Sequence, residues 1–112
     1  MLFRSHRFYK VAKRGLDDIS TVAAAFSVDR AADGTVTRAR LAFGGVGATP
    51  IRATEAEAVL TGRAWTAEAV ADAQAVLRRT LQPLSDHRGS AHYRREVAAN
   101  LLAKFFHEED AR

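Results

Sequence analysis

The sequence predicts an α+β domain in which a small antiparallel sheet of about three to four strands carries three helices on one face. Before Pro50, apolar and polar residues alternate, as in strands with one buried face. After Pro50, apolar residues recur every three to four positions, as in amphipathic helices. Because the strands precede the helices, the helices are expected to lie together on one side of the sheet. A chain of 112 residues is long enough for one core, so residues 1–112 are predicted to form a single domain.

The composition excludes several classes of protein. With 47% hydrophobic and 27% charged residues, the chain has the balance of a globular domain and not of a disordered one. The absence of cysteine excludes disulfides, cysteine-ligated zinc, iron–sulfur clusters and a thiol nucleophile within this chain. No apolar run approaches the roughly 20 residues that a membrane helix needs, and the start lacks the pattern of a secretory signal. We therefore expect no membrane partner and a cytoplasmic setting.

The positive charge is concentrated at the start of the chain. The formal net charge is +4, and residues 1–14 contain five basic residues and no acidic one. Such a patch can bind nucleic acid, an anionic cofactor or an acidic protein surface. It can equally protect an edge strand from aggregation, since lysine and arginine discourage strand-to-strand pairing. Composition alone leaves these alternatives open.

The first half of the chain is predicted to be extended. Residues 8–12 form a short β-prone segment. Residues 19–28 fit the period of a strand and that of a helix, but a turn sequence, Ala-Ala-Asp-Gly at 31–34, separates them from a second alternating run at 37–43. Two alternating runs around such a turn indicate a β-hairpin. The residues expected to face the core are Val22, Ala24, Phe26, Val28, Thr37, Ala39, Leu41 and Phe43.

A glycine-rich segment at 44–50 ends the second strand of the hairpin. It does not match a dinucleotide-binding loop, because Pro50 stands where the third glycine must pack and no βαβ unit follows. We interpret it as a backbone bend. Residues 51–53 are predicted to form a further short extended segment.

Three helices are predicted after this bend. They lie near residues 55–61, 67–81 and 90–106. Thr54 and Glu57 have the spacing of a capping box, and Gly62 is placed to end the first helix. Thr66 and Ser90 are expected to cap the second and third helices. The predicted core residues of this half are Leu77, Leu81, Val97, Leu101 and Phe105.

The residues that could suggest catalysis or metal binding have unsuitable spacing. Ser85, Asp86 and His87 are adjacent, whereas a catalytic triad needs groups that converge in space beside an oxyanion hole. The four histidines show no metal-ligand spacing. We therefore predict no catalytic residue and no metal site.

One group of charged residues surrounds Gly15, in a loop that follows the first strand. Its members are Lys10, Lys13, Arg14, Asp17 and Asp18. Cations at the end of a strand can bind a phosphate or the polar edge of a ring. The two carboxylates can act as bases if they are buried, or can remain solvated charges.

Several segments occur in an order typical of one family. They are Phe8-Tyr9-Lys10-Val11-Ala12-Lys13-Arg14, Asp17-Asp18-Ile19-Ser20, residues 44–53, and Leu84-Ser85-Asp86-His87-Arg88-Gly89-Ser90 with Tyr93-Arg94-Arg95. Together they resemble the C-terminal domain of the FAD-binding subunit of molybdenum hydroxylases. The similarity is greatest to bacterial xanthine dehydrogenase small subunits, with carbon monoxide dehydrogenase medium subunits as more distant relatives. It extends from about Phe8 to Phe106.

The resemblance implies a role in electron transfer. In that family an upstream domain holds most of the FAD, this domain covers one side of it, and electrons pass from molybdenum through iron–sulfur clusters to FAD. The matching positions assign an FAD contact to Lys10 and place Arg14 and Asp17 in a loop near the flavin ring. A cation there would raise the flavin's reduction potential by stabilising the anionic reduced form, and a carboxylate would lower it.

The resemblance also implies partners. They are the upstream FAD-binding domain, which we expect outside this chain, an iron–sulfur domain and a molybdenum-cofactor subunit, with no nucleic acid. Because the FAD-binding domain and cysteines for clusters are not part of this chain, no catalytic activity is expected from the chain alone. The isolated chain is expected to bind FAD weakly or not at all, since a cofactor needs an enclosing pocket.

Two other functions remain as alternatives. The first is a purely structural domain that packs on partners without touching flavin. The second is a nucleic-acid-binding module that uses residues 4–14, where Phe3, Phe8 and Tyr9 could stack on unpaired bases. Two features argue against a nucleic-acid-binding module: the run of positive charge ends at Arg14, and no predicted helix has a basic face.

Overall fold

The computed structural model describes residues 2–14, 19–44, 51–81 and 88–110, with side chains at 3–11, 22–44, 51–81 and 93–109. Within these ranges the strands are β1 (Leu2–Arg14), β2 (Ile19–Ala31), β3 (Val36–Gly44) and β4 (Ile51–Arg52), and the helices are α1 (Thr54–Leu60), α2 (Ala67–Thr80) and α3 (Arg88–Asp110). The strands form one antiparallel sheet in the order β1-β2-β3-β4. This arrangement confirms the predicted α+β fold class.

The edge strand β1 is longer than the predicted segment at 8–12. It pairs with β2 over 13 residues, from Leu2 opposite Ala31 to Arg14 opposite Ile19. Its first half is rich in basic and polar residues, which carry little intrinsic strand preference. Continuous pairing with β2 overrides that weak local preference.

The predicted hairpin is confirmed between β2 and β3. Gly34 adopts a φ of +90°, which glycine tolerates without strain, and the Asp33 carboxylate accepts a hydrogen bond from the Thr35 backbone N–H at 2.9 Å. The prediction that Thr37 faces the core is wrong. The register between β2 and β3 shifts at Asp29/Arg30, so Val36 is buried and Thr37 is exposed.

The three helices form a layer on one face of the sheet. Helices α1 and α3 contact the strands, and α2 packs against α1 and α3. Phe26 lies at the centre of the core, where its ring centroid is 5.9 Å from Tyr9, 5.4 Å from Phe43 and 5.5 Å from Phe105. The core residues predicted for the helical half are buried, except Val97, which is half-buried.

Two of the predicted helix ends are confirmed. The Thr66 hydroxyl accepts a hydrogen bond from the Ala69 backbone N–H at 3.2 Å and so caps α2. Gly62 has a φ of +85° directly after Thr61, the residue that ends α1.

The other two predicted caps are wrong. Helix α1 already includes Thr54, its N-cap position is Ala53 without a side-chain hydrogen bond, and the Glu57 carboxylate is used elsewhere. Helix α3 begins at Arg88, so Ser90 lies inside it.

Three predicted features fall outside the described residues: most of the glycine-rich bend, the Ser85-Asp86-His87 segment, and the carboxylates Asp17 and Asp18. In the described ranges, none of the helices combines the length and the apolar character needed to cross a membrane.

Candidate functional site

The two faces of the sheet have different environments because side chains alternate along each strand. In β1, Tyr9 lies on the helix-covered face, where it packs against the core. The neighbouring residues Phe8 and Lys10 lie on the opposite face and are exposed. We call this second face the open face, since none of the described helices covers it.

One half of the open face is formed by small side chains beside Phe8 and Lys10. Pairing places Lys10 opposite Ala23 and Ala23 opposite Gly44, and it places Phe8 opposite Ala25 and Ala25 opposite Ala42. We call Ala23, Ala25, Ala42 and Gly44 the small-residue floor. Phe8 is 69% exposed, which is unusual for so large an apolar side chain. The result is a flat apolar surface with a cation at its end.

The other half of the open face is basic. A shallow depression of about 540 Å³ is lined by Arg4, His6, Ser27, Asp29, Arg38 and Arg40. Arg4 donates a hydrogen bond through Nε to the Asp29 carboxylate at 2.8 Å. Among the described residues, no carboxylate lies within 4 Å of the Arg38 or Arg40 guanidinium, although Asp29, opposite Arg38 on β2, also interacts electrostatically with it. Three arginines and one carboxylate line the depression, so this half carries an excess of positive charge.

The pair of Arg4 and Asp29 should make stability depend on pH. The hydrogen bond from the Arg4 guanidinium lowers the pKa of the Asp29 carboxyl below its usual value. A lowered folded-state pKa stabilises the fold above the unfolded-state pKa of about 3.9, and this contribution is lost as the pH falls through the folded-state value. Asp29→Asn should therefore unfold at lower urea than wild type at pH 7, and the difference should shrink under acid conditions. The control is Asp72→Asn, because the ion pair of Asp72 with Arg63 is more exposed. If the difference in urea midpoint between Asp29→Asn and wild type were the same at pH 7 and under acid conditions, the expectation would be contradicted.

The helix-covered side of β1 is bound to the end of α3. Arg7 donates through Nε to the Glu109 carboxylate at 2.7 Å, and Glu109 is 5% exposed. The Tyr9 hydroxyl donates to the Glu108 carboxylate, and the Lys104 ammonium lies 5.4 Å from the centre of the Tyr9 ring. Burial of the Tyr9 side chain is the main cause that raises the pKa of its hydroxyl, and the hydrogen bond to Glu108 raises it further. These contacts join residues about 100 positions apart, so local sequence patterns do not indicate them; they fix β1 and therefore the position of Lys10.

The hypothesis of nucleic-acid binding requires Phe3, Phe8 and Tyr9 to form one surface on which unpaired bases can stack. By the alternation of β1, Phe3 and Tyr9 lie on one face and Phe8 lies on the other. Tyr9 is also packed against Phe26. The three aromatic side chains therefore do not form a single platform for bases.

The structure places the three predicted site residues unequally. Lys10 is exposed on the open face, and among the described residues no carboxylate pairs with it. Arg14 is the last residue of β1, with its backbone opposite Ile19, and its side chain is outside the description. Asp17 also lies outside the described residues. Phe8 lies beside Lys10 on the same face, a placement that the sequence alone did not indicate.

A family model described as "CO dehydrogenase flavoprotein C-terminal domain" matches residues 7–109. The chain belongs to this family. The match confirms the resemblance found in the sequence, and it covers β1 from Arg7 onward together with nearly all of the helical layer.

Individual proteins are similar to this chain over most of its length. The nicotinate hydroxylase of Emericella nidulans is 40% identical over 105 residues, covering 88% of this chain and 8% of that protein. The xanthine dehydrogenase of the same organism is 34% identical over 110 residues, covering 91% and 8%. A structure of carbon monoxide dehydrogenase from Hydrogenophaga pseudoflava superposes with a TM-score of 0.74 at 34% identity, covering 90% and 34%. This chain therefore spans about a third of the carbon monoxide dehydrogenase chain and less than a tenth of the two Emericella enzymes.

Proposed function

We propose that this chain is the C-terminal domain of the FAD-binding subunit of a xanthine dehydrogenase-like molybdenum hydroxylase, where it covers one side of FAD. The observation that carries the proposal is the family match over residues 7–109, combined with an exposed Lys10 on the open face. The described residues support a covering role and not a holding one. They offer a flat face beside Lys10, whereas a cofactor-holding site encloses its ligand.

Lys10 is the residue through which the chain would act on the flavin. The contacts of Arg7 and Tyr9 with α3 keep β1 in place, so the ammonium group is presented from a rigid strand. FAD would supply the redox chemistry, and a fixed cation beside it favours the anionic reduced form. The proposal also places Arg14 and Asp17 near the ring, where the Asp17 carboxylate opposes the effect of Lys10.

The proposed assembly includes further polypeptides. The chain spans about a third of a related carbon monoxide dehydrogenase chain, so an FAD-holding domain would account for much of the remaining length. An iron–sulfur domain and a molybdenum-cofactor subunit would supply the electrons. The absence of cysteine agrees with clusters held by a partner, and we place the assembly in the cytoplasm.

The isolated chain should bind FAD more weakly than about millimolar. One charge-assisted hydrogen bond contributes about 1.5–3 kcal/mol, whereas millimolar binding needs about 4 kcal/mol. Fluorescence titration of FAD with the chain alone should therefore show no saturation in the micromolar range. Saturation at micromolar FAD would mean that the chain holds a flavin site of its own.

Lys10→Ala should lower the flavin's reduction potential in the assembled subunit, which contains this domain together with the FAD-holding domain. Removing the cation destabilises the reduced anion, and we expect a shift of about 30 mV, equivalent to about 1.4 kcal/mol for a two-electron couple. Asp17→Ala should shift the potential upward. Spectroelectrochemical titration of the flavin measures both.

Arg79→Ala is the matched control for Lys10→Ala, because Arg79 is an exposed cation on α2, away from the open face. It should leave the potential unchanged. If Lys10→Ala changes neither the affinity for FAD nor the potential, the assignment of Lys10 is wrong. The purely structural function would then be favoured.

A further inference from the structure

The end of α3 holds β1 from the helix-covered side through two carboxylates. Arg7 donates through Nε to Glu109 at 2.7 Å, and the Tyr9 hydroxyl donates to Glu108. The Glu109 side chain is 2% exposed and the Arg7 side chain 33%, so this ion pair is largely removed from water. Breaking such a pair is costly, because the charge that remains has no partner in a poorly solvated site. The two contacts therefore give β1 a second attachment besides its pairing with β2.

The two attachments of β1 restrain different motions. The hydrogen bonds to β2 lie in the plane of the sheet and fix the spacing between the strands. They restrain movement out of that plane less, since the twist between neighbouring strands varies widely among sheets. β1 is the first strand in the sheet order, so within the described residues it has a strand neighbour on one edge only. Its height relative to the sheet is therefore set by packing on its faces, and α3 is the described helix that makes the main contact with it.

Lys10 follows Tyr9 directly and lies on the other face of the strand. A displacement of Tyr9 away from α3 would therefore move the backbone of Lys10, and with it the ammonium group on the open face. The electrostatic effect of a cation depends on its distance from the charge it stabilises. The end of α3 can thus change the effect of Lys10 on a flavin without contacting the flavin itself.

We propose that Glu109 and Glu108 are positioning residues for the flavin-facing cation. Glu109 acts through Arg7 and Glu108 acts through Tyr9, and together they set the height of Lys10 from the opposite side of the sheet. They thereby maintain the increase in reduction potential that Lys10 provides. The inference rests on the proposed function and adds to it two residues of α3 that lie away from the open face.

The sign of the change in potential distinguishes positioning from a direct electrostatic effect. If Glu109 acted on the flavin through space, its removal would take away a negative charge and raise the potential, as is expected for Asp17→Ala. If Glu109 acts by positioning Lys10, its removal lowers the potential, because the cation is displaced. Spectroelectrochemical titration of the flavin in the assembled subunit measures this sign.

Three variants of these contacts should lower the potential. Glu109→Ala should lower it by roughly a third to two thirds of the shift that Lys10→Ala produces, since a displaced cation still acts from a greater distance. Glu109→Gln should have a smaller effect, because its amide oxygen can still accept from Arg7. Tyr9→Phe should also lower the potential. It changes no charge, since burial raises the pKa of the Tyr9 hydroxyl and keeps it neutral.

A double-variant cycle tests whether the effect passes through Lys10. In a subunit that already carries Lys10→Ala, neither Glu109→Ala nor Tyr9→Phe should lower the potential further, because the cation that they position is gone. Glu96→Ala is the control, since Glu96 is a carboxylate on the same helix but pairs with Arg78 on α2. It should leave the potential unchanged in both backgrounds. A rise in potential, no change in the variants that fold, or an equal decrease with and without Lys10 would each overturn the inference.

The single variant Lys10→Ala separates failure of this inference from failure of the proposed function. If Lys10→Ala leaves the potential unchanged, the proposed role of Lys10 and the positioning role are both wrong. If Lys10→Ala lowers the potential but Glu109→Ala and Tyr9→Phe do not, pairing with β2 alone holds β1 and only the positioning role is wrong. Circular dichroism spectra and urea midpoints show which variants have folded. Tyr9→Phe keeps the ring that packs against Phe26, so it decides the test if Glu109→Ala does not fold.

Discussion

Replacing Phe26 with alanine is expected to lower the free energy of unfolding by about 3–5 kcal/mol. Phe26 is 2% exposed, and its ring packs against the rings of Tyr9, Phe43 and Phe105. These partners come from two neighbouring strands and from α3. The variant therefore leaves a cavity at the junction of the sheet and the helical layer, where several elements would have to move together to close it.

Urea unfolding monitored by circular dichroism measures this loss, and Phe8→Ala is its control. Phe8 is also a phenylalanine but is 69% exposed, so Phe8→Ala should lower the free energy of unfolding by less than about 0.5 kcal/mol. Since domains of this size are stable by about 5–15 kcal/mol, Phe26→Ala should shift the unfolding midpoint strongly. Similar midpoints for the two variants would mean that Phe26 is not part of a tightly packed core.

The alternation around Phe26 also explains why the fold class could be predicted from the sequence. Four apolar residues at alternate positions face the same side of β2: Val22, Ala24, Phe26 and Val28. This alternation can be seen in a short stretch of sequence. The turn at Asp33 and Gly34 then distinguished a strand from a helix. The recurrence of apolar residues every three to four positions in α2 and α3 was equally local. These local patterns predict the structure correctly because burial of one apolar face is the main stabilising contribution in both strands and helices.

Features set by pairing between segments could not be predicted in the same way. The register shift at Asp29/Arg30, which exposes Thr37, depends on how β2 and β3 fit together. The full length of β1 depends on its pairing with β2, because residues 4–7 are all basic or polar and give no apolar alternation of their own. Pairing between strands therefore determined the two features that the local sequence pattern predicted wrongly.

The candidate site shows the same division. Lys10 was identified through family resemblance, but the sequence alone did not show which face of the sheet it occupies. That placement requires the register of β1 against β2, which puts Tyr9 in the core and Phe8 with Lys10 on the open face. Arg14 and Asp17 remain predictions, as the structure describes neither side chain.

Glu57→Ala is expected to lower the free energy of unfolding by about 2 kcal/mol. The Glu57 carboxylate is 5% exposed, accepts the Leu41 backbone N–H at 2.8 Å and accepts from Arg52 Nε at 2.9 Å. Removing it leaves a buried backbone donor without its acceptor, which costs about 1–3 kcal/mol. The pair with Arg52 adds little, since the Arg52 side chain is 48% exposed and can be hydrated.

The neighbouring Glu55 supplies the control for this prediction. It lies in the same first turn of α1 but is exposed, so Glu55→Ala should change stability by less than about 0.5 kcal/mol. Glu57→Gln should lie between the two, because its amide oxygen can still accept the Leu41 N–H while the charge toward Arg52 is lost. Urea unfolding of the three variants measures the series.

The reason for this cost lies in the short partner strand at the edge of β3. Among the described residues, β4 pairs with β3 only at Ala42 and Phe43, so the Leu41 N–H has no strand partner there and Glu57 takes that place from α1. The Leu41 carbonyl in turn accepts the Ala53 N–H at 2.8 Å. A side chain thus completes the edge that β4 leaves open and joins α1 to the sheet. If Glu57→Ala proved as stable as Glu55→Ala, water would have to satisfy the Leu41 N–H, and α1 would be held by apolar packing alone.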